Sequence, residues 1–531
     1  MYRFLILLAS CFVISSAAVG KCGFATMAEY HAHPMQGNAR MLARSGGSCT
    51  VENLYDSVYV DTTTHFRVFY TLAGPHAVIG ADPATGARPP FIDTLMVALE
   101  KAYVLHTQTI GMPIPQGPSE SFQYQDSRFP TKYPVEVIDL GLLRNTWSLL
   151  AGPCDGCYGL TLPDLNDPTL TNLLIENDFN YQSSSDPLAT YTNNSGVICT
   201  YTPSTHPIKG TINGSEVNYN IQWPKALRVT ATHELYHACQ LRQQDYQEHY
   251  HFWFEASATG VEDQGAPDVN DYTQYLPTTF ATPEISLIDS NDGIRTYGQA
   301  GFYHYLVHQW GPQFDPAIWA RLHETPNQGI AYIIDAEAKS RGWTSGFPAL
   351  LEDYAKHLMA AGTRGSRLPT DSLWDKDLAM WPSVATTNFQ ADLLPAEPFS
   401  FRIFPANAVL DPWIPSITSN LRKASYRAGD STFVIVTAGF APDASFASSA
   451  QKAVAFPNPW RASMGVPLCM QASGSTQVEI RDASGLVWQS REISTSSLRA
   501  CWSAAEMTLA PGVYSWRGNK EHKLHSLLII R

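Results

Sequence analysis

His233-Glu234-Leu235-Tyr236-His237 combine residue types and a spacing that can do chemistry. Two histidines four positions apart share one face of a helix, one turn from each other, as two ligands of a single tetrahedral zinc ion require. Glu234 follows the first of them, where its carboxylate can take a proton from a water acidified by zinc and pass it to a leaving amine. That is the chemistry of peptide-bond hydrolysis, with Zn2+ as the cofactor and a peptide or protein as the substrate. A catalytic zinc also needs a third protein ligand and an open position. The segment Trp253-Phe-Glu-Ala-Ser-Ala-Thr-Gly-Val-Glu-Asp263 offers Glu255, on a second helix that a short turn can bring back against the first. Glu262, seven positions on, shares a face with Glu255 and suits the free ring N–H of a ligand histidine; Asp263 is the alternative for that role.

The elements that must position these residues follow from hydrophobic period and helix-start signals. A helix begins at Trp223-Pro224 and runs through Ala226, Leu227, Leu235, Ala238 and Leu241. Further helices are expected near 252–263, 298–310, 315–323, 328–340 and 348–361. Upstream, His65–Tyr70, Val135–Leu140 and Asn172–Phe179 read as strands, and Pro89-Pro90 opens a helix over Phe91 to about Leu105. Residues 182–220 read as an exposed excursion with one or two hairpins. A loop rich in Pro, Thr and Asp fills 366–397, after which short alternating runs such as Phe399–Phe404 and Ser431–Val436 indicate β structure to the end. The fold class is therefore α+β.

At 531 residues the chain exceeds one core. A formal net charge of −13 argues against a nucleic-acid partner, which needs a basic face. Residues 1–20, with Arg3, the apolar run Phe4–Val13 and the small residues Ala18-Val19-Gly20, read as a signal peptide; Leu8-Ala-Ser-Cys11 leaves a lipoprotein box as an alternative. No later stretch approaches the ~20 apolar residues of a spanning helix, so the mature chain is expected to be exported without a transmembrane span. Of nine cysteines, removal of Cys11 leaves eight, an even number that suggests disulfides. Proximity favours Cys22 with Cys49, Cys154 with Cys157 and Cys469 with Cys501, leaving Cys199 and Cys239 over.

HExxH followed by a glutamate in a Trp…Glu…Ala…Glu segment resembles the gluzincins, which include thermolysin and the leukotriene-hydrolase/aminopeptidase family. In the latter a tyrosine before a helix start stabilises the tetrahedral intermediate. Tyr297-Gly-Gln-Ala-Gly301 is similar with one extra residue, so the resemblance implies Tyr297 as an oxyanion donor, with Tyr272, Tyr275 and His304 as substitutes. Over residues 60 to 360 the chain resembles a family of secreted bacterial metalloproteases, in His65–Tyr70, Gly156–Thr161, Ile175–Phe179, the HELYH helix and Asp268–Tyr272 with Tyr275-Leu-Pro277. Ala81-Asp-Pro-Ala-Thr-Gly86 keeps only one acidic residue of a calcium-loop-like stretch found there, so no calcium is expected at that position. In this family Ile175–Phe179 could be the edge strand that pairs with substrate; a buried strand plus turn is the favoured reading of the same residues. The C-terminal order Pro457-Asn-Pro459, Asp482-Ala-Ser-Gly485, Gly512-Val-Tyr514 and a last apolar strand ending in Arg531 resembles the type A sorting domain of the type IX secretion system, which implies secretion machinery as a partner and a secreted or cell-surface location. The expected organisation is a signal peptide at 1–20, a zincin-like domain at 21–397 with a small mixed sheet and active-site helices, a short β-rich segment at 398–450 and a β-sandwich at 451–531. An aminopeptidase, or an adhesion protein on a zincin scaffold, is the rival reading.

Overall fold

A computed structural model describes residues 54–142, 156–164, 167–183, 185–244, 246, 250–288, 293–326, 328–362, 374–387 and 399–405, together with the strands between 421 and 530. The expected signal peptide, Cys11, Cys22, Cys49 and Cys154 lie outside the described residues, as does most of the loop at 366–397. The chain divides into two units, Met1–Pro326 with Ile333–Gly439, and Asn327–Tyr332 with Phe440–Arg531.

Runs rich in aromatic and β-branched residues build the sheet of the first unit. Its order is β1 (Tyr59–Thr62), β2 (Phe66–Tyr70), β3 (Tyr133–Ile138), β5 (Thr171–Glu176) and β4 (Gly159–Pro163). β2, β3 and β5 are parallel, while β1 and β4 run antiparallel to their neighbours at the two edges. Every residue of β2 to β5 is buried, as expected for a sheet covered on both faces. On one face Phe66, Val68, Val135, Val137, Leu173 and Ile175 pack in one core with Leu95 and Leu99 of α1 (Pro90–Val104) and Leu227 and Leu235 of α2 (Trp223–Gln243). On the other, Phe69, Tyr124, Ile138, Leu160, Leu162 and Leu174 form a second cluster.

Of the two readings of Ile175–Phe179, the buried strand plus turn holds and the sheet edge does not. β5 is hydrogen-bonded on both sides, and the outer strand is β4. The unbroken apolar run Leu173-Leu-Ile175 is what a strand with two buried faces and two neighbours needs. β4, with a glycine at its start and a proline at its end, suits an edge.

Residues 180–218 fold into three short pairings. β6 (Asn180–Tyr181) meets β9 (His206–Pro207), β7 (Ala189–Thr192) meets β8 (Ile198–Tyr201), and β10 (Lys209–Ile212) meets β11 (Ser215–Asn218). Beyond α2 come α3 (His251–Gly265), α4 (Leu276–Phe280), α5 (Gly293–Gly298), α6 (Ala300–Trp310), α7 (Phe314–Glu324), α8 (Ile330–Ser340) and α9 (Gly346–His357). A three-stranded sheet of β12 (Ser400–Pro405), β14 (Ser431–Ala438) and β13 (Leu421–Ala428) packs on α9, where the Phe347 and Phe399 rings stack at 4.8 Å and Arg422 pairs with Glu352 at 2.9 Å. These strands therefore extend the first unit, instead of forming the separate segment expected at 398–450.

The second unit holds two sheets. One joins β15 (Val454–Phe456), β17 (Leu468–Gln471) and β20 (Ala500–Trp502); the other has the order β16 (Trp460–Arg461), β22 (His525–Ile530), β21 (Gly512–Gly518), β18 (Gln477–Arg481) and β19 (Val487–Glu492). Cys469 and Cys501 are Cα partners in the β17–β20 register. In the first unit Cys157 and Cys199 each belong to a disulfide, while Cys239 is free and buried. The expectation of two cysteines left over thus fails for Cys199, which sits in a buried cluster with Leu54 and Leu142.

α3 and α6 approach so closely that a Cβ on Gly260 would lie 2.3 Å from Cδ1 of Tyr303. Gly260→Ala is therefore expected to lower stability by about 1–3 kcal/mol through overpacking, read as a fall in melting temperature.

Candidate metal centre

α2 is buried at every position from Val229 to Leu241, so its histidines have no water to turn to. His233 and His237 place their Nε2 atoms 3.0 Å apart. Glu255, on α3, brings Oε2 to 3.4 Å from the first and 3.5 Å from the second. Ligand atoms of the three side chains all lie within 4.8 Å of one another, and the residues are 1%, 0% and 0% exposed.

Hydrogen bonds decide which nitrogens carry protons. The His233 Nδ1–H donates to Glu262 Oε1 at 2.8 Å. The His237 Nδ1–H donates to Gln240 Oε1 at 2.7 Å, and the Gln240 amide nitrogen is itself committed to the Phe254 carbonyl at 3.1 Å and Ser257 Oγ at 2.8 Å. Both Nε2 atoms are left as bare acceptors facing each other. Neither Glu255 oxygen accepts a hydrogen bond, although both are fully buried. Two lone pairs and an unsatisfied carboxylate in one dry space need a cation between them. Without a metal a proton takes that place: burial by itself lowers the His233 pKa, but the Glu255 and Glu262 carboxylates outweigh it and raise it to about 9. Burial would raise Glu255, yet His237 and His233 hold it well below the usual carboxylate range. These three side chains fit a metal ion.

Glu234 is 1% exposed and meets the edge strand. Its Oε2 accepts the Thr161 hydroxyl at 2.8 Å, and its main-chain oxygen lies 2.7 Å from the same hydroxyl. β4 comes this close because it starts at a glycine: a Cβ on Gly159 would lie 2.7 Å from Glu234 Cγ. Behind α2, the π-helical turn Leu105–Ile110 points His106 at the helix, where its Nε2–H donates to the Thr232 carbonyl at 2.8 Å. Burial pushes His106 down to about 3, so that ring is neutral.

Tyr297, on α5, is 3% exposed with its ring centroid 6.2 Å from that of His233 and 5.1 Å from that of Tyr275. The other substitutes lie elsewhere. Tyr272 stacks on His304 at 4.4 Å and accepts Trp381 Nε1–H at 2.9 Å, while His304 pairs with Asp375 at 3.0 Å. Asp263 is not a partner of the ligand histidines, which corrects its alternative assignment. One residue past Glu262 it turns about 100° round the helix, and its carboxylate sits 3.6 Å from Lys376. Gln240, Ser257 and Thr161 are contributors that sequence reasoning missed. Gln240 had a readable signal, being the polar residue three positions after His237 on one helix face.

The wild-type chain is expected to bind one divalent metal ion, and Glu255→Ala to lose it, by elemental analysis after dialysis. Gln240→Leu should weaken binding about 10- to 100-fold, measured by competition with a chelating dye. Metal at 100 times its dissociation constant should stabilise the fold by about 2.7 kcal/mol.

No protein-family model and no curated protein matches the chain. Among solved structures it is similar to PorZ, an essential bacterial surface component of the type-IX secretion system of human oral-microbiomic Porphyromonas gingivalis, at 17% identity and a TM-score of 0.14. The match covers 30% of this chain and spans 19% of the other, and a likeness at that score carries no argument. No helix among the described residues is long and apolar enough to cross a membrane.

Proposed function

We propose that the chain is a zincin-like, secreted zinc metallopeptidase of the gluzincin type that hydrolyses peptide bonds within extended substrates. One observation carries the reading: His233, His237 and an unpartnered, buried Glu255 converge within 4.8 Å, with Glu234 next in sequence to the first of them. Two imidazoles and one carboxylate are the donor set of catalytic zinc in the His2Glu class. A bound zinc ion would supply Lewis acidity, polarising the scissile carbonyl and lowering the pKa of a water.

The chain's own residues do the rest. Glu262 and Gln240 hold both rings in the tautomer that offers Nε2. Glu234 takes the proton of the attacking water and returns it to the leaving amine. Tyr297, beside His233, donates a hydrogen bond to the oxygen on which negative charge develops. Among the described residues β4 is the outer strand of the sheet and abuts Glu234, so an extended peptide adding to its outer edge lies along the base. The apolar run after Arg3 and the C-terminal module support export through a signal peptide and secretion machinery.

Glu234→Gln should keep its metal and lose hydrolysis of a quenched fluorescent peptide library by about 10²–10⁴-fold. Tyr297→Phe should lower kcat by about 10²–10³-fold with KM little changed. Zinc binding by the wild type without hydrolysis of any peptide sinks the peptidase reading; full activity of Glu234→Gln sinks the mechanism.

A further inference from the structure

The two helices that carry the ligands also present large polar-tipped side chains away from the metal. Tyr236 precedes His237 on α2, and Trp253 lies two positions before Glu255 on α3, about 200° round the helix from it. Both reach one group. Asp315, in the first turn of α7 and 0% exposed, accepts the Tyr236 hydroxyl on Oδ2 and the Trp253 Nε1–H on Oδ1, the latter at 3.0 Å. Each oxygen of a single carboxylate is thus tied to one ligand-bearing helix.

We propose that Asp315 sets the separation of α2 and α3 and is thereby a positioning residue of the metal centre. The distance it controls is functional, because His237 Nε2 and Glu255 Oε2 face each other across the same pair of helices at 3.5 Å. Gln240 links α2 to Phe254 and Ser257 beside the metal site, and Tyr236, four positions before it on the same helix face, carries the second tie through Asp315. Two ties one turn apart hold the helix pair at two points along its length. An apolar side chain would fill the space without desolvating a charge, but it would fix neither distance. Among the described residues no basic side chain is counted among the groups that act on Asp315, so its role does not reduce to neutralising a neighbour. Burial pushes its carboxyl up to about 7, held back by the Tyr236 and Trp253 hydrogen bonds.

The inference rests on the metal-binding part of the reading above and not on peptidase activity. Its test compares wild type, Tyr236→Phe, Trp253→Phe and Asp315→Asn by zinc affinity in chelator competition, by the visible spectrum of the cobalt(II)-loaded proteins and by melting of the metal-free proteins. Tyr236→Phe and Trp253→Phe keep their rings and decide the outcome if Asp315→Asn does not fold. The expected result is an affinity about tenfold lower with shifted cobalt bands in both ring-preserving variants. Lower metal-free melting temperatures with wild-type affinity and cobalt spectrum make Asp315 a structural brace only and overturn the inference. Unchanged affinity and spectrum in all variants overturn it as well, with the metal reading intact. A wild-type chain that binds neither zinc nor cobalt overturns the metal reading itself and this inference with it.

Discussion

Two imidazole lone pairs pointing at each other across 3.0 Å, with an unpartnered carboxylate beside them, is an arrangement that a protein interior accepts only around positive charge. The rest of the first unit can be understood as what holds those three groups in that conflict. Glu262 and Gln240 take the outer protons of both rings, so neither histidine can escape by changing tautomer. Burial removes the water that would otherwise satisfy the carboxylate. The ligands are oriented before any ion arrives, and the cost of that orientation is met by folding.

The scaffold makes this possible by leaving α2 no free face. The sheet and α1 cover one side of it, and α3 covers another, with small residues where the approach is closest. Gly265 leaves room for Thr232, and Gly159 leaves room for Glu234. A long polar helix in this position would strand its side chains. Here most of the buried polar residues of α2 have partners: Thr232 to Arg228, His233 to Glu262, Tyr236 to Asp315 and Gln240 to α3. Polar character inside a buried helix marks where the structure specifies geometry instead of merely filling volume.

Much of this was legible in the sequence wherever partners lie on one helix, because helical spacing converts directly into a shared face. That is why His233 with His237 on α2, and Glu255 with Glu262 on α3, could each be read as a pair; the strands β2, β3 and β5 and most helices also fall near their expected places. What stayed hidden depends on contacts between distant segments. Thr161 reaches Glu234 from a strand more than seventy positions away, and Asp315 reaches Tyr236 from further still. The edge strand could not be named for the same reason: strand order is a property of pairing, and a run such as Leu173-Leu-Ile175 reports burial without naming its neighbours. Asp263 was misjudged because adjacency in sequence is not adjacency on a helix surface.

The Thr161 hydroxyl has one proton and two acceptors on a single residue, the carboxylate of Glu234 at 2.8 Å and its main-chain oxygen at 2.7 Å. A side chain that swings toward a substrate ordinarily abandons its resting partner, and a stranded buried donor resists the motion. This donor is never stranded. When the carboxylate turns away, the hydroxyl rotates to the carbonyl of the same residue, which cannot leave because it belongs to the helix. The carboxylate of Glu234, the base in the proposed mechanism, is therefore held at rest and can leave at little cost, because its catch has a second acceptor waiting.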